Sequence, residues 1–338
     1  MKILIIGGTR FIGPPIVRSL LDKGHELVLF HRGKSSVELP KGVKHIMGDR
    51  QNLSDFSDQL KELEPQLVLD MFPITEQDAQ VVMNIFRGIA KRIVAISSQD
   101  VYRAYGKLIG IENYPTIPVP LNEEAPLRKK LYPYRDNVKE DNKLYNYDKI
   151  LVERIYMNEP ELPCTVLRLP MVYGPGDYQH RLFPYLKRMD DNRPVILLEQ
   201  GMAQWCCSRG YVEDIANAVV IVIENVEAVN CIYNVSEEIS QPEAEWIKAI
   251  AKAVGWDGKI IIVPKEQSPE FMNPGIDTTQ YLDVDTTRIR DELGYKELIS
   301  QDEALRRTVE WERSHTPEKI DPKMFDYKAE DNLLEQLG

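Results

Sequence analysis

Tyr145 and Lys149 stand four residues apart, a spacing that on a helix projects both side chains from one face. A tyrosine in water has a pKa of about 10 and is a poor base at neutral pH. A neighbouring ammonium favours the phenolate, which can take a proton from an alcohol or return one to a carbonyl. Ser98 closes the apolar run Ile93-Val94-Ala95-Ile96, where its hydroxyl would hold a substrate oxygen beside Tyr145. Each feature alone is ordinary: Tyr-xxx-Lys pairs also arise as helix-surface neighbours, Tyr147 competes for the same role, and strand-end serines are common.

The elements that must position these groups begin at the first residues. Lys2-Ile3-Leu4-Ile5-Ile6 reads as a parallel strand buried on both faces. It runs into Gly7-Gly8-Thr9-Arg10-Phe11-Ile12-Gly13, and then into a helical pattern opened by Pro14 and Pro15, which suit a first helical turn. Strand, glycine turn and helix in that order offer free backbone N–H groups to a pyrophosphate, so residues 7 and 9–13 are the expected cradle of a nicotinamide dinucleotide. Gly7 allows the tight turn and Gly13 close helix–strand packing; the bland alternative is a plain strand-to-helix turn. With such a cofactor, Lys149 would also hydrogen-bond its ribose.

The second strand, Leu27-Val28-Leu29-Phe30, ends in His31-Arg32-Gly33-Lys34 rather than in the carboxylate that usually receives an adenosine ribose. Arg32 can pair with a 2'-phosphate in bidentate fashion, and Arg10 is a second cation for the same group. NADP is therefore preferred over NAD, the alternative being that both arginines are solvated. Asp49, in the exit of a third strand read at residues 43–50, either caps a loop or meets the adenine.

Further strands at 67–71 and 93–98, with helical periodicity at 77–90 between them, predict an α/β fold with a doubly wound parallel sheet and ligands at the strands' carboxyl ends. Residues 103–142 lose the pattern and read as a lid or substrate loop inserted after a strand end. A helix is expected from about Asn142, carrying Tyr145, Lys149 and Glu153. Residues 1–172 form mainly the dinucleotide domain, 173–316 a smaller, interleaved substrate-binding lobe with returning elements of the main domain, and 317–338 a loosely packed tail.

The net charge of -11, from 53 acidic against 42 basic residues, makes nucleic acid an unlikely partner. Arg128-Lys129-Lys130 is a local basic exception. The four cysteines show no zinc spacing, so no metal is expected, and they read as free thiols. No apolar run is long enough to span a membrane, and a cytoplasmic location is expected.

The segments GGTRFIG, SSQDVY, YNYDKILVE and LRLPMVYGPGD together resemble the extended short-chain dehydrogenase/reductase superfamily, in its NAD(P)-dependent nucleotide-sugar epimerase/dehydratase branch, over residues 1–223. The resemblance implies a Rossmann fold, a tightly held cofactor and a homodimer. It also implies catalysis by Ser98, Tyr145 and Lys149, with epimerisation of a nucleotide sugar through a transient keto intermediate; a carbonyl reductase or dehydratase is the alternative. Arg209, before Gly210-Tyr211-Val212-Glu213-Asp214, would meet the nucleotide diphosphate, Tyr173 and Trp205 would line the pocket or pack in the core, and Asp214 would cap a helix. Three departures stand out. Arg10 replaces the usual middle glycine, Gln99-Asp100 replaces the Asp-Glu of dehydratases, and Ser98 and Tyr145 lie unusually far apart. The GGTRFIG variant also resembles a divergent subgroup that includes chloroplast proteins associated with RNA, so RNA binding, or a non-catalytic NADP-binding role, is a second class of expectation.

Overall fold

The computed structural model describes residues 1–35 and 37–337. Among the described residues eleven strands are formed: β1 (Lys2–Ile6), β2 (Glu26–His31), β3 (Lys44–Met47), β4 (Leu67–Asp70), β5 (Arg92–Ser98), β6 (Cys164–Leu169), β7 (Met171–Tyr173), β8 (Val195–Glu199), β9 (Arg209–Tyr211), β10 (Ile232–Asn234) and β11 (Lys259–Val263). Seven of them make one sheet in the order β10-β6-β5-β4-β1-β2-β3, parallel throughout. This is the doubly wound Rossmann-like α/β fold that the alternating apolar strands require, because a parallel sheet must be covered on both faces. Ile3, Ile5, Leu27, Leu29 and Leu69 pack on one face, against helix α1 (Gly13–Asp22) and the helix Val212–Glu224. Leu4, Ile6, Val28, Val68 and Ile93 pack on the other, against the helices Glu76–Phe86 and Lys149–Met157.

The strand order reverses between β1 and β4, where Ile6 stands opposite Asp70. A crevice therefore opens above Gly7 on one side and Met71-Phe72-Pro73 on the other, the place where ligands of open parallel sheets bind. The chain leaves this sheet after β6 and returns to it as β10, with β7, β8 and β9 in two small sheets between.

Three expectations from sequence are corrected. The helix carrying Lys149 starts at Lys149, not near Asn142. Asp148 caps it by accepting from the backbone N–H of Ile150 (2.9 Å), and also accepts from Tyr132 N–H (2.6 Å), while its own N–H donates to the Ile74 carbonyl (3.0 Å). With Asp148 in extended backbone geometry, the helix cannot continue towards Tyr145. Residues 103–142 are not irregular throughout: they begin with the helix Arg103–Leu108 and build a third core in which Val101, Leu108 and Leu121 meet Leu282 and Val284. The tail is not loose either. Arg188 donates to Glu330 (2.6 Å) and to the Met324 carbonyl (2.7 Å), Arg193 pairs with Asp331, and Leu333 is buried.

Asp214 does not cap its own helix. It is fully buried and accepts from the N–H groups of Leu298 (2.7 Å) and Ile299 (3.3 Å), joining the first turn of Val212–Glu224 to the chain before the helix Gln301–Ser314. Burial pushes its carboxyl up to about 6, against the pull of those two N–H groups. A carboxyl whose pKa rises on folding binds its proton more tightly in the folded state, so stability falls as pH rises from about 4 through 6. Asp214→Asn keeps an acceptor oxygen without the buried charge. In thermal melts the variant should gain on the natural protein between pH 4 and pH 7 by a few degrees; parallel pH dependence of the two would disprove the assignment.

Candidate active site

The glycine turn is assembled as the sequence requires. Gly7 and Gly8 both have positive φ, 97° and 80°, and a Cβ on Gly13 would lie 2.3 Å from the Gly8 carbonyl carbon and oxygen. Helix α1 thus starts in contact with the turn, with Pro14 and Pro15 in its first turn where absent N–H groups cost nothing. Gly8 and Gly13 are buried, Gly7, Thr9, Phe11 and Ile12 are half-buried, and Arg10 is exposed. Phe11 takes a positive φ of 50° and meets the ring of Tyr178 edge-on, while Gly176 approaches the Phe11 backbone. The Pro-Gly segment that follows β7 therefore lies against the turn.

At the end of β2, Arg10 Nη2 donates to the Lys34 carbonyl (3.2 Å) and Ser35 Oγ to the Thr9 carbonyl (2.8 Å). These bonds tie the loop after β2 to the glycine turn and bring Arg10 to the loop that holds exposed Arg32 and Lys34. His31 contacts the His45 ring nitrogen at 2.8 Å and accepts from Gly33 N–H. Asp49 accepts from Gln51 N–H at 3.1 Å, the capping alternative of its two readings.

Lys149 sits at the carboxyl ends of β4 and β5, donating from Nζ to the carbonyls of Pro73 (2.6 Å) and Ile96 (2.8 Å). Burial pushes its ammonium down to about 8, against the pull of Asp100 and Asp70. Ser98 is half-buried at the end of β5, and its Oγ accepts from Asp100 N–H at 3.2 Å. The residues flanking Pro73 and those before the helix wall a cleft of about 470 Å³, Phe72, Ile74, Asn142, Leu144 and Tyr147 among them. Phe72 is 57% exposed, a large apolar ring at the crevice mouth.

Tyr145 is not brought to this cleft. It lies in a turn before the helix, its hydroxyl donating to Glu140 (3.2 Å) near the surface and its ring beneath Arg135. The expected shared helical face fails because the helix capped by Asp148 starts only at Lys149, four residues after Tyr145. Tyr147 instead points inward, donating to Asp100 Oδ2 at 2.5 Å.

The expected substrate contacts of Arg209 and Tyr173 are also corrected. Arg209 is buried, ion-paired to Glu243 and stacked 4.6 Å from the Trp246 ring centre, beside a cavity of only about 30 Å³. Tyr173 is 1% exposed and donates to Glu237 at 2.8 Å. Trp205 is a core residue, its indole N–H on the Gln280 carbonyl (3.0 Å). Nor is the basic triplet a patch: Arg128 is buried with its Nε on the Asp100 carbonyl (2.5 Å), and Lys130 pairs with Asp136.

Sequence reasoning missed a buried network at the end of β4. Arg50 forks onto the fully buried Asp70, which also accepts from Tyr156 at 2.5 Å. An acidic residue ending the apolar run Leu67-Val68-Leu69 was its signal, since a charge placed there needs a partner.

The sequence profile of the NAD dependent epimerase/dehydratase family matches residues 3–236. The chain belongs to that family of NAD(P)-dependent enzymes. Among curated relatives, the chloroplast stem-loop binding protein of 41 kDa b of Arabidopsis thaliana is 27% identical over 282 residues, covering 78% of this chain and 67% of that protein. The 2'-dehydrokanamycin reductase of Streptomyces kanamyceticus is 24% identical over 277 residues, covering 80% and 71%. Among solved structures, the UDP-glucose 4-epimerase of Thermotoga maritima with UDP-glucose superposes with a TM-score of 0.68 at 20% identity, covering 94% of this chain and 100% of that one. The Thermus thermophilus UDP-glucose 4-epimerase complex with NAD gives 0.67 at 21% identity, covering 94% and 100%. At these identities the superpositions establish the epimerase/dehydratase fold. Among the described residues of this family member, no helix is long and apolar enough to cross a membrane.

Proposed function

We propose that this family member is an NADP(H)-dependent reductase of a carbonyl on a small polar molecule. The observation that carries the reading is the Lys149 ammonium, held by the Pro73 and Ile96 carbonyls at the crevice where the sheet order reverses, next to a cleft walled by Phe72, Ile74 and Tyr147. The residues present fit a dinucleotide. Side chains at Gly7, Gly8 and Gly13 would press on Met71, Ile5 and the Gly8 backbone, and the amides of the turn before α1 would be the ones to face the diphosphate, since Pro14 and Pro15 have none and that of Gly13 is bonded to the Arg10 carbonyl. Bound there in reduced form, the cofactor supplies hydride. Lys149 holds and orients the ribose, Ser98 positions the carbonyl oxygen, and the turn before Lys149 provides the proton donor.

Arg10, Arg32 and the absence of a carboxylate at the end of β2 support NADP over NAD. Arg10→Ala and Arg32→Ala should each weaken NADPH by about ten- to a hundredfold and leave NADH nearly unchanged, because a lost charge-assisted hydrogen bond costs about 1.5–3 kcal/mol. Fluorescence titration with the two nucleotides checks this; equal weakening of both would remove the 2'-phosphate site. The reductase itself is tested by following NADPH oxidation across carbonyl compounds, including 2'-dehydrokanamycin, the compound named by one relative.

Epimerisation of a nucleotide sugar is the second reading, favoured by the fold shared with an epimerase holding UDP-glucose. Against it, the arginine expected to meet the diphosphate is already neutralised by Glu243 beside a cavity too small for a nucleotide. Conversion of UDP-glucose without net NADPH consumption would favour it over the reductase. A homodimer remains part of the reading, and mass in solution tests it. Nucleic acid is left out, because Arg128 of the basic triplet is buried, Lys130 pairs with Asp136 and the net charge is -11.

A further inference from the structure

We infer that Arg50 is a positioning residue for Lys149, because it fixes the backbone after β4 whose Pro73 carbonyl holds the lysine ammonium. This rests on the reading of Lys149 and the crevice given above. Arg50 opens the short 3-10 helix Arg50–Phe56 that follows β3, and its side chain, 17% exposed, reaches the end of β4. Nη2 donates to Asp70 Oδ2 at 2.6 Å and to the Asp78 carbonyl at 3.4 Å, and Nη1 donates to Asp70 Oδ1. Nε stands 3.1 Å from Asp78 Oδ1, an ion pair without hydrogen-bond alignment. One guanidinium thus joins the two carboxylates that flank residues 71–77.

Those carboxylates order the segment between them. Asp70 Oδ1 accepts from Phe72 N–H at 3.4 Å, and Asp78 Oδ2 accepts from the N–H groups of Ile74 and Thr75, each at 3.0 Å. Pro73 has no N–H, so every backbone donor from Phe72 to Thr75 is held by a carboxylate that Arg50 binds. The carbonyls of the same segment meet the helix that carries the lysine. Pro73 accepts from Lys149 Nζ at 2.6 Å, and Ile74 accepts at 3.0 Å from the N–H of Asp148, the cap of that helix. Tyr156, farther along the helix, donates to Asp70 Oδ2 at 2.5 Å and closes the circuit.

A guanidinium suits this place and an ammonium does not. Its planar fork spans both oxygens of the fully buried Asp70 while its edge stays on Asp78, whereas a lysine would bring the charge to one point. The charges are coupled as well as the backbone. Burial pushes the Lys149 ammonium down; Asp100, Asp70 and Asp78 pull it up, and Arg50 opposes it. Loss of the fork would therefore release the Pro73 carbonyl from its place and leave Asp70 and Asp78 unbalanced. Phe72 and Ile74 lie in the same segment and wall the cleft, so the substrate side would shift with the lysine.

The test uses the full chain, first without nucleotide. Arg50→Lys keeps the charge and loses the fork. The double replacement Arg50→Met with Asp70→Asn removes both buried charges, and so guards against a variant that cannot fold. In amide hydrogen exchange by NMR, the N–H groups of Ile74, Thr75 and Asp148 should exchange about tenfold faster or more in both variants. The Gly7 N–H, bonded to the Phe30 carbonyl at 2.9 Å, should keep its natural rate. NADPH affinity by fluorescence should weaken about tenfold, and turnover of diacetyl at saturating NADPH should fall about tenfold or more. A merely structural Arg50 would lower the melting temperature and speed exchange everywhere alike, without changing affinity or turnover in the folded protein. Natural exchange rates at residues 74, 75 and 148 in both variants overturn the proposal, and so does faster exchange there with NADPH affinity unchanged. Failure of the natural protein to bind NADPH would instead sink the reductase reading, and the exchange result, read without nucleotide, would still uphold or overturn the hold of Arg50 on this segment.

Discussion

Gly13→Ala should abolish measurable NADPH binding and lower stability by about 3 kcal/mol or more. The new methyl would sit 2.3 Å from the carbonyl carbon and oxygen of Gly8. Those are backbone atoms, and Gly8 has no room to retreat: its φ is 80°, and its own missing Cβ would already strike the Ile5 side chain at 2.8 Å. Relief must come from pushing α1 away from β1, which shifts the turn joining them and with it the turn amides that would face the diphosphate. A nucleotide titration by fluorescence and a urea melt read the two effects separately. Gly24→Asn is the control: Gly24 has the same φ of 80° but nothing within 4 Å, and asparagine tolerates that conformation, so binding should be unaffected. A Gly13→Ala protein that bound NADPH normally and melted normally would refute the close approach.

Glu153→Ala should cost about 3–5 kcal/mol, because it strands a buried guanidinium. Glu153 accepts from Arg168 Nε (3.0 Å) and Nη2 (2.7 Å) and from Ser97 Oγ (2.6 Å), and both charged residues are under 5% exposed. Arg168 would keep only the Tyr102 hydroxyl (3.0 Å) and the Glu123 carbonyl (2.9 Å). The double replacement Glu153→Leu with Arg168→Met removes both charges, and should recover much of the loss. Equilibrium urea unfolding of the three variants decides the matter: a cost below about 1 kcal/mol for Glu153→Ala would mean that water reaches the pair. Since Arg168 lies on β6 and Glu153 on the helix behind Lys149, the pair also holds that helix to the sheet.

How far the sequence could be read depended on how local each determinant was. The run Lys2–Ile6, the glycine turn and the two prolines specify strand, turn and helix from about twenty consecutive residues, and the structure contains all three. Tyr145 was misplaced because the start of the next helix is decided at Asp148 by partners far along the chain, the Ile74 carbonyl and the Tyr132 amide. Periodicity carries no trace of either. Arg209 likewise looked free for a ligand until Glu243, from another helix, was seen to neutralise it. Tyr147 was visible as a competitor, but its inward position depends on the path of residues 99–101 after β5, which places the Asp100 carboxyl against it.

The flanks of the main sheet carry a further consequence. β10 and β3 are three and four residues long; Lys44 and His45 stand exposed along β3, and the flank of β10 is occupied, with Asn234 bonded to Leu121, Glu123 and Asp285. A second molecule would find too few open amides and carbonyls on this sheet to extend it by another strand. Self-association of this protein, whether orderly or as aggregate, must therefore use surfaces other than the margins of its main sheet.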